Sequence, residues 1–321
     1  MKSFSQILET AQSVIRLESE IIAELSGKLN EDFANAVALI LSSEGRVIVA
    51  GVGKSANIAS KMVATFNSTG QPAIFLHAAD AIHGDLGNIQ KNDVVICISK
   101  SGNTEEIKYL LPLIKNMGNK IIAICGNKDS YLANETDYLL DATVKKEACP
   151  HNLTPTSSTT AQLVLGDALA ICLLESKNFT DKDFARFHPG GVLGKKLFLK
   201  VNDITKNNET PSVQPNESIA NVIIEISKKR LGAIAVLDAK QLLGIITDGD
   251  LRRMLEKGKN IDQVLAKDIM NKNPKTISVS ALAIDALKMM EEHNISQLIA
   301  VNEGNYVGII HIHDILKEGI V

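Results

Sequence analysis

The sequence lacks the features of an exported or membrane-spanning chain. No uninterrupted apolar run reaches the roughly 18 residues that a membrane span requires. The opening stretch MKSFSQILETAQSVIRLESE has no continuous apolar core of the kind that a signal peptide carries. We therefore expect a cytoplasmic protein without a membrane partner.

Cysteine pairs and surplus positive charge are also absent. No two of the four cysteines form a Cys-x-x-Cys pair, which argues against a structural zinc site or a disulfide framework. Cys97, Cys125 and Cys172 stand inside apolar runs and are expected to pack as small hydrophobes, whereas Cys149 stands in a loop and suggests no role. The net charge of −3 provides no basic field for nucleic acid, so we expect no nucleic-acid partner.

The chain is long enough for about two domains, because 321 residues exceed one ordinary core. Over residues 1–200, an amphipathic opening helix is followed by five short apolar runs that alternate with helical segments. The runs are RVIVAG, PAIFLH, DVVICIS, KIIAICG and YLLDATV. Runs that are apolar on both faces and separated by helices are typical of a parallel sheet covered on each side. The first domain is therefore predicted to be α/β, with a doubly wound, parallel, five-stranded sheet.

The second domain, residues 205–321, contains a tandem repeat. LLGIITDGDLRRML matches YVGIIHIHDILKEG, so that Gly244 corresponds to Gly308 and Asp250 to Asp314. A duplicated unit usually buries a face shared by its two copies. We expect one compact, pseudo-symmetric module with copies at about 205–262 and 266–321.

Three segments that combine glycine or hydroxyl side chains with a helix start follow predicted strands. They are GVGKS (51–55), SKSGNTEE (99–106) and TPTSSTT (154–160). Ligands of open parallel sheets bind at the carboxyl ends of the strands, where helix N-termini offer free N–H groups. Each segment alone could be a helix cap, and GVGKS is not a nucleotide-binding P-loop because Ile48 stands where that motif needs glycine. Together they predict a phosphate site.

Titratable groups surround these segments. A carboxylate, a histidine and a lysine beside an anion site suit the transfer of a proton next to a carbonyl group. Surface charges and turn-capping histidines are the alternative, and His77, His83, Asp85 and His188 are a weaker alternative set of metal ligands. The candidates for chemistry are Lys54, Glu106, Glu147, His77, His83 and His188.

GVGKS, SKSGNTEE and the TSSTT helix start resemble the sugar isomerase (SIS) domain of phosphosugar-binding proteins, which has a flavodoxin-like sheet. HGDLG, KEACP, TPTSSTT and HPGGVLG resemble, more narrowly, the D-arabinose 5-phosphate isomerases, which carry a tandem CBS pair behind the SIS domain. The resemblance implies interconversion of D-ribulose 5-phosphate and D-arabinose 5-phosphate through an enediolate. It also implies that the product feeds 3-deoxy-D-manno-octulosonate synthesis for lipopolysaccharide or capsule.

The resemblance implies catalytic roles for Lys54, Glu106, Glu147 and His188. A glutamate, with Glu147 preferred, would shuttle the proton and would need a pKa raised toward neutrality. Lys54 would stabilise the enediolate oxygen, and His188 or His83 would open the sugar ring. The implied substrate-binding residues are Ser55, Gly70, Gln71, His77, His83, Ser99, Ser101, Asn103, Thr104, Lys146, Ser157, Ser158 and Thr159.

No cofactor is required by this reaction, and zinc at His77 is expected to be adventitious or inhibitory. The first CBS copy keeps the Gly-x-x-Thr-x-x-Asp run that holds a ribose in such pairs, with Thr247, whereas the second has His311 in its place. A regulatory nucleotide or an assembly role are the two expectations for the pair, and assembly is preferred. The family resemblance also implies a homotetramer in which His83 or His188 acts on a neighbouring subunit. The alternatives are a non-catalytic sugar-phosphate sensor and an isomerase of another phosphosugar.

Overall fold

A computed structural model describes residues 2–258 and 260–320 of the chain. The structure divides into two compact units, the first ending at Phe187 and the second beginning at His188. Residues 188–200 thus belong to the second unit, whereas the sequence assigned them to the first domain. The predicted limits at 200 and 205 stay predictions.

The first unit is built on a five-stranded parallel sheet in the order β2-β1-β3-β4-β5. The five apolar runs form these strands, because residues on both faces of each run are buried under helices. The predicted fold class is confirmed. The strands are β1 Val47–Gly51, β2 Ala73–His77, β3 Val94–Ser99, β4 Lys120–Cys125 and β5 Tyr138–Asp141.

Helices cover both faces of the sheet and create two separate cores. Alternate strand residues face each core: Ile96 packs under the helices α1, α2, α3 and α7, whereas Cys97 packs on the opposite side under α4, α5 and α6. The helices are α1 Phe4–Ser26, α2 Glu31–Ser42, α3 Gly53–Ser68, α4 Ala78–Ala81, α5 Glu105–Asn116, α6 Tyr131–Asn134, α7 Ser157–Ser176 and α8 Asp181–Phe187, with a short 3-10 helix at Asp85–Asn88.

Helix α7 is apolar on all sides. It is the one helix in residues 2–258 and 260–320 that is long and apolar enough, by length and composition, to cross a membrane. Half of that apolar stretch is buried inside the unit, and the helix contacts α1, α2 and α3. Gly166 lies against Met62 of α3 so closely that an added Cβ would meet the methionine side chain at 2.5 Å. Core packing on several sides therefore accounts for the apolar composition of α7.

A buried carboxylate fixes the start of β3. Asp93 is 2% exposed and accepts hydrogen bonds from the main-chain N–H groups of Arg46 and Gln90, at 2.7 and 2.8 Å, and from the Arg46 guanidinium at 2.8 Å. Burial raises the pKa of Asp93, but the hydrogen bonds from Arg46 and Gln90 outweigh it and the pKa is lowered. This carboxylate joins the amino ends of β1 and β3.

The second unit contains the predicted repeat, because its two halves have the same order of elements. Each half has a three-stranded sheet with one parallel and one antiparallel pair. The antiparallel pairs are irregular at corresponding places, beside Val236↔Gly244 and beside Ala300↔Gly308. The strands are β6 Ser212–Val213, β7 Ala233–Asp238, β8 Gln241–Thr247, β9 Thr276–Ser278, β10 Gln297–Asn302 and β11 Asn305–His311.

The two halves share a buried face, as a duplicated unit should. Ala235 and Ile245 of the first half belong to one apolar cluster with Ile299 and Ile309 of the second. The helices of the unit are α9 Val192–Phe198, α10 Val201–Thr205, α11 Ile219–Lys229, α12 Asp248–Glu256, α13 Ala266–Ile269, α14 Ala283–His293 and α15 Ile312–Lys317, with a 3-10 helix at Ile261–Gln263.

Candidate active site

The three predicted phosphate segments meet at one cavity in the first unit. The cavity has a volume of about 240 Å³ and lies at the carboxyl ends of β1 and β3. The parallel sheet explains the convergence, since all of its strands end at the same edge. The polar lining consists of Lys54, Ser55, Ser99, Lys100, Ser101, Thr104, Ser158 and Thr159.

The loop between β3 and α5 is held by its own hydroxyl groups. Ser99 Oγ lies 2.9 Å from Thr104 Oγ1 and accepts the N–H of Gly102 at 3.0 Å. Gly102 has φ = 67° and a Cβ at this position would lie 2.0 Å from Ser130 Oγ, so the turn requires glycine. Asn103 accepts the N–H of Tyr131 at 3.0 Å. Asn103 therefore ties this loop to α6.

Glu147 lies buried at the start of α7, with 1% of its side chain exposed. Its Oε2 accepts the main-chain N–H groups of Thr156 at 2.8 Å and Ser158 at 3.1 Å, and lies 3.2 Å from the Thr156 hydroxyl. Its Oε1 lies 2.6 Å from Lys100 Nζ. The carboxylate thus caps the positive end of the helix and forms an ion pair with a lysine of the cavity.

We expected the pKa of Glu147 to be raised, and this prediction was wrong because the pKa is lowered. Burial raises the pKa of this carboxyl group, but the Lys100 ammonium, the Ser158 hydroxyl and the amides of Thr156 and Ser158 outweigh burial and lower it to about 2. The surroundings of Glu147 exclude water, but they also contain hydrogen-bond donors, and these donors stabilise the ionised carboxylate. In the structure Glu147 is fully ionised at neutral pH.

The helix start of α7 also differs from the expectation in part. We expected its amides to face a phosphate, but those of Thr156 and Ser158 are occupied by Glu147. The hydroxyl groups of Ser157 and Ser158 are buried; that of Ser157 has no hydrogen-bond partner in the described part of the chain, whereas that of Ser158 helps to lower the pKa of Glu147. Of these, Ser158 lines the cavity together with Thr159. The helix start thus offers hydroxyl groups to the cavity.

Sequence reasoning missed three residues that organise the site. Lys100 pairs with Glu147, and Thr156 accepts the N–H of Ala148 at 2.9 Å. Asn152 accepts the N–H of Glu147 at 2.7 Å. Two of them had a sequence signal, because Lys100 stands in SKSGNTEE and Thr156 in TPTSSTT, both segments assigned to the anion site.

Of the other predicted catalytic residues, Lys54 lines the cavity, whereas Glu106 and His188 do not. Lys54 is the second residue of α3 and lines the cavity, as does Ser55, which binds Gln162 at 3.2 Å. Glu106 is a partly buried residue in the first turn of α5 and is not among the lining residues. His188 belongs to the second unit, where its main-chain carbonyl accepts the N–H of Gly191. Its role at the site stays a prediction.

The two histidines near β2 lie at the edge of the sheet formed by the carboxyl ends of the strands, as predicted for the site. His77 is the last residue of β2, and its Nδ1 lies 3.6 Å from the Asp80 carboxylate. His83 is exposed and follows α4. Within residues 2–258 and 260–320, no group of three or more His, Cys, Asp or Glu side chains could hold a metal ion. The expectation of zinc at His77 stays a prediction.

Seven predicted substrate residues are not among those that line the cavity: Gly70, Gln71, His77, His83, Asn103, Lys146 and Ser157. Gly70 and Gln71 immediately precede β2 and therefore lie at the amino edge of the sheet, where Lys177 Nζ binds Gln71 Oε1 at 2.6 Å. The turn at Gly70 (φ = 83°) ends α3 and places Gln71 in the interior. Lys146 is exposed in the loop beside Glu147.

The two candidate nucleotide sites of the second unit differ in their acidic residue. Asp250 accepts hydrogen bonds from Thr247 Oγ1 at 2.7 Å and from Arg253 at 2.5 Å. In the second copy, Asp314 accepts the side-chain amide of Asn208 at 2.9 Å. Each carboxylate is therefore bound by residues of the chain itself.

Comparison with protein families and known proteins identifies the class of this chain. Residues 40–172 match the SIS domain, and residues 201–257 and 266–320 each match the CBS domain. This architecture defines an SIS-domain protein with a CBS pair.

Curated relatives define the family more narrowly. Arabinose 5-phosphate isomerase KdsD of Francisella tularensis is 49% identical and covers 98% of both chains. The Pseudomonas aeruginosa protein of the same name is 46% identical, over 98% of this chain and 97% of its own. The structure of Escherichia coli CFT073 c3406 in complex with arabinose 5-phosphate is 41% identical, with a TM-score of 0.57, and covers 59% of this chain and all of its own. The chain belongs to the arabinose 5-phosphate isomerase family.

Proposed function

We propose that this protein is an aldose–ketose isomerase that interconverts D-ribulose 5-phosphate and D-arabinose 5-phosphate. The observation that carries the proposal is a buried carboxylate, Glu147, beside a cavity lined by lysine and hydroxyl groups. Relatives that match nearly the whole chain are arabinose 5-phosphate isomerases. The product of such a reaction feeds 3-deoxy-D-manno-octulosonate synthesis for lipopolysaccharide or capsule.

In the proposed reaction the phosphate binds to the hydroxyl groups at the end of β3 and the start of α7. A carboxylate takes a proton from C1 of the ketose, and the electrons of that C–H bond form an enediolate. Lys54, which lines the cavity, stabilises the enediolate oxygen. The hydroxyl proton on O1 passes to O2, so that C1 becomes the aldehyde carbon, and return of a proton to C2 on one face gives the arabinose configuration. His188 or His83 opens the ring of the aldose.

Two carboxylates are candidates for the base. Glu147 lies behind Lys100, which lines the cavity, and is ionised, but a group with a pKa of about 2 accepts a proton poorly. It becomes an effective base only when its hydrogen-bond donors are partly withdrawn. Glu106, in the first turn of α5, is the second candidate. Proton transfer of this kind needs only a base and a fixed positive charge, so we propose that no cofactor is required.

Proton NMR of the protein with D-ribulose 5-phosphate in deuterated buffer tests this function. We expect arabinose 5-phosphate to form and to carry deuterium at C2. Glu147→Gln should abolish turnover while sugar-phosphate binding remains, and Glu135→Gln, at an exposed ion pair with Lys115, is the matched control. Binding without product would indicate a sensor, and turnover of a hexulose phosphate in preference would indicate another substrate.

We further propose that the protein is a cytoplasmic homotetramer and that the CBS pair assists assembly. The second CBS copy has His311 where the first has Thr247, which supports assembly over nucleotide binding there. His83 or His188 would then act on the site of a neighbouring subunit. Light scattering on the intact protein, with and without AMP, tests both points: a tetramer unchanged by AMP is expected.

A further inference from the structure

Lys100 contributes both to the lining of the cavity and to an ion pair with Glu147. Its side chain lines the cavity among the hydroxyl groups of Ser99, Ser101 and Thr104, and its ammonium group lies 2.6 Å from Glu147 Oε1. The lysine side chain is 41% exposed, whereas that of Glu147 is 1% exposed. One partner is therefore free to change its contacts while the other is fixed in the interior.

The contacts of Glu147 are those that an anionic ligand would use. It occupies two amides at the N-terminus of a 20-residue helix and one ammonium group. Phosphate binds to the same kinds of donor in proteins. Ser158, whose hydroxyl group also helps to lower the pKa of Glu147, is itself a lining residue of the cavity. The cavity thus has donors for a second anion next to a carboxylate that shares one of them.

Few charged groups other than Lys100 face Glu147. The first turn of α7 carries only Ser and Thr side chains, and Lys54 reaches the cavity from α3. On its own loop, Lys146 is exposed and Cys149 lies two residues further on. Of the ion pairs within the described residues, the one that involves Glu147 is with Lys100. The cation that pairs with this carboxylate is therefore a single, partly exposed lysine.

We propose that Lys100 is a positioning residue that couples phosphate binding to the state of Glu147: it holds the carboxylate in place, and it turns to the substrate phosphate when that dianion enters the cavity. This inference rests on the proposed function. A phosphate dianion attracts the ammonium group more strongly than a single carboxylate does. The carboxylate then loses its ion-pair partner and becomes a stronger base at the moment when the sugar is in place.

Three variants test the coupling. Lys100→Met removes the charge, Lys100→Arg keeps it, and Lys128→Met is the matched control. Lys128 forms a similar ion pair with a buried carboxylate, Asp141, at 2.9 Å, but it does not line the cavity. Circular dichroism establishes that each variant is folded, which is expected because Lys100 is partly exposed.

Two measurements follow on the intact protein. Inhibition constants for inorganic phosphate and KM for the sugar phosphate should rise about 10- to 100-fold in Lys100→Met, as expected for the loss of a charged hydrogen bond. The ratio of its kcat/KM to that of the wild type should also decrease as the pH is lowered past about 6. The pKa of Glu147 rises once its main cation is removed, so the carboxylate of the variant is protonated at a higher pH. Ionisation of the substrate phosphate is common to all variants and cancels in this ratio. Lys100→Arg should retain most of both properties, and the control should change neither.

The results separate the coupling from the function itself. If Lys100→Met keeps phosphate inhibition within twofold of the Lys128→Met value, with no change in the pH ratio, the coupling is wrong although the enzyme is an isomerase. If the wild type shows no turnover, the isomerase assignment is wrong. Binding of inorganic phosphate measured by phosphorus NMR would then still decide whether Lys100 contacts the anion.

Discussion

Replacing Glu147 by glutamine removes the negative charge that contacts both Lys100 and the first turn of α7, with little change in shape. A pKa lowered from 4.5 to about 2 corresponds to about 3 kcal/mol in favour of the charged form. Lys100 is partly exposed, and solvent weakens its share of this interaction. We therefore expect Glu147→Gln to lower the free energy of unfolding of the first unit by about 2 to 3 kcal/mol at pH 7.

The effect should depend on pH in a defined direction. The pKa of Glu147 is lower in the folded protein than in the unfolded chain, so its stabilisation is complete above about pH 5 and is lost as the pH falls from 4.5 toward 2. Glutamine does not titrate. The difference between wild type and variant should therefore shrink on acidification.

Hydrogen–deuterium exchange measured by mass spectrometry on peptides from β3 and α7 gives this free energy for the first unit alone. The control is Glu135→Gln, whose ion pair with Lys115 is exposed and should contribute less than about 1 kcal/mol. A Glu147→Gln effect no larger than that of the control at pH 7 would refute the reasoning. An effect of equal size at pH 7 and pH 3 would also refute it.

Three further predictions concern the same unit. Iodoacetamide should alkylate Cys149 before Cys97. The amides of the turn that follows Cys149 lower the pKa of its thiol to about 6, whereas burial raises the pKa of the Cys97 thiol to about 12. Peptide mass spectrometry measures the two alkylation rates, and equal rates would contradict the prediction. Gly102→Ala should weaken sugar-phosphate binding and destabilise the unit by about 2 kcal/mol or more, since its Cβ would collide with Ser130; calorimetry measures the affinity, and unchanged binding would be the contrary result. Asp93→Asn should lower the free energy of unfolding, measured with urea, by about 3 kcal/mol, because a buried carboxylate bound to arginine is lost. A decrease of less than about 1 kcal/mol would contradict this prediction.

The sheet could be predicted from sequence because each strand is a short apolar run between helices. That pattern leaves few alternatives to a covered parallel sheet, and the common edge of such a sheet then gathers the segments at Lys54, Ser99 and Ser158. Both steps follow from periodicity and topology. They do not depend on the conformation of any single side chain.

The details of the site could not be predicted in the same way. The pKa of Glu147 depends on whether burial or donors dominate, and the donors come from Lys100 on another loop and from the main chain at Ser158. A main-chain N–H has no sequence signature. Gly70 and Gln71 were implied by the family resemblance, although they precede the PAIFLH run and therefore lie at the opposite end of a parallel sheet.

The contact between Lys100 and Glu147 has a consequence for biosynthesis of the protein. The residues that it joins come from the end of β3 and from the loop before α7, with β4 and β5 between them in the chain. Parallel pairing across such separations forms slowly, because the chain must close large loops before the contacts stabilise it. A ribosome-bound chain that stops before residue 158 cannot complete the donors around Glu147. The cap and the ion pair around Glu147 are therefore complete only after the start of α7 has been synthesised and has packed against the sheet.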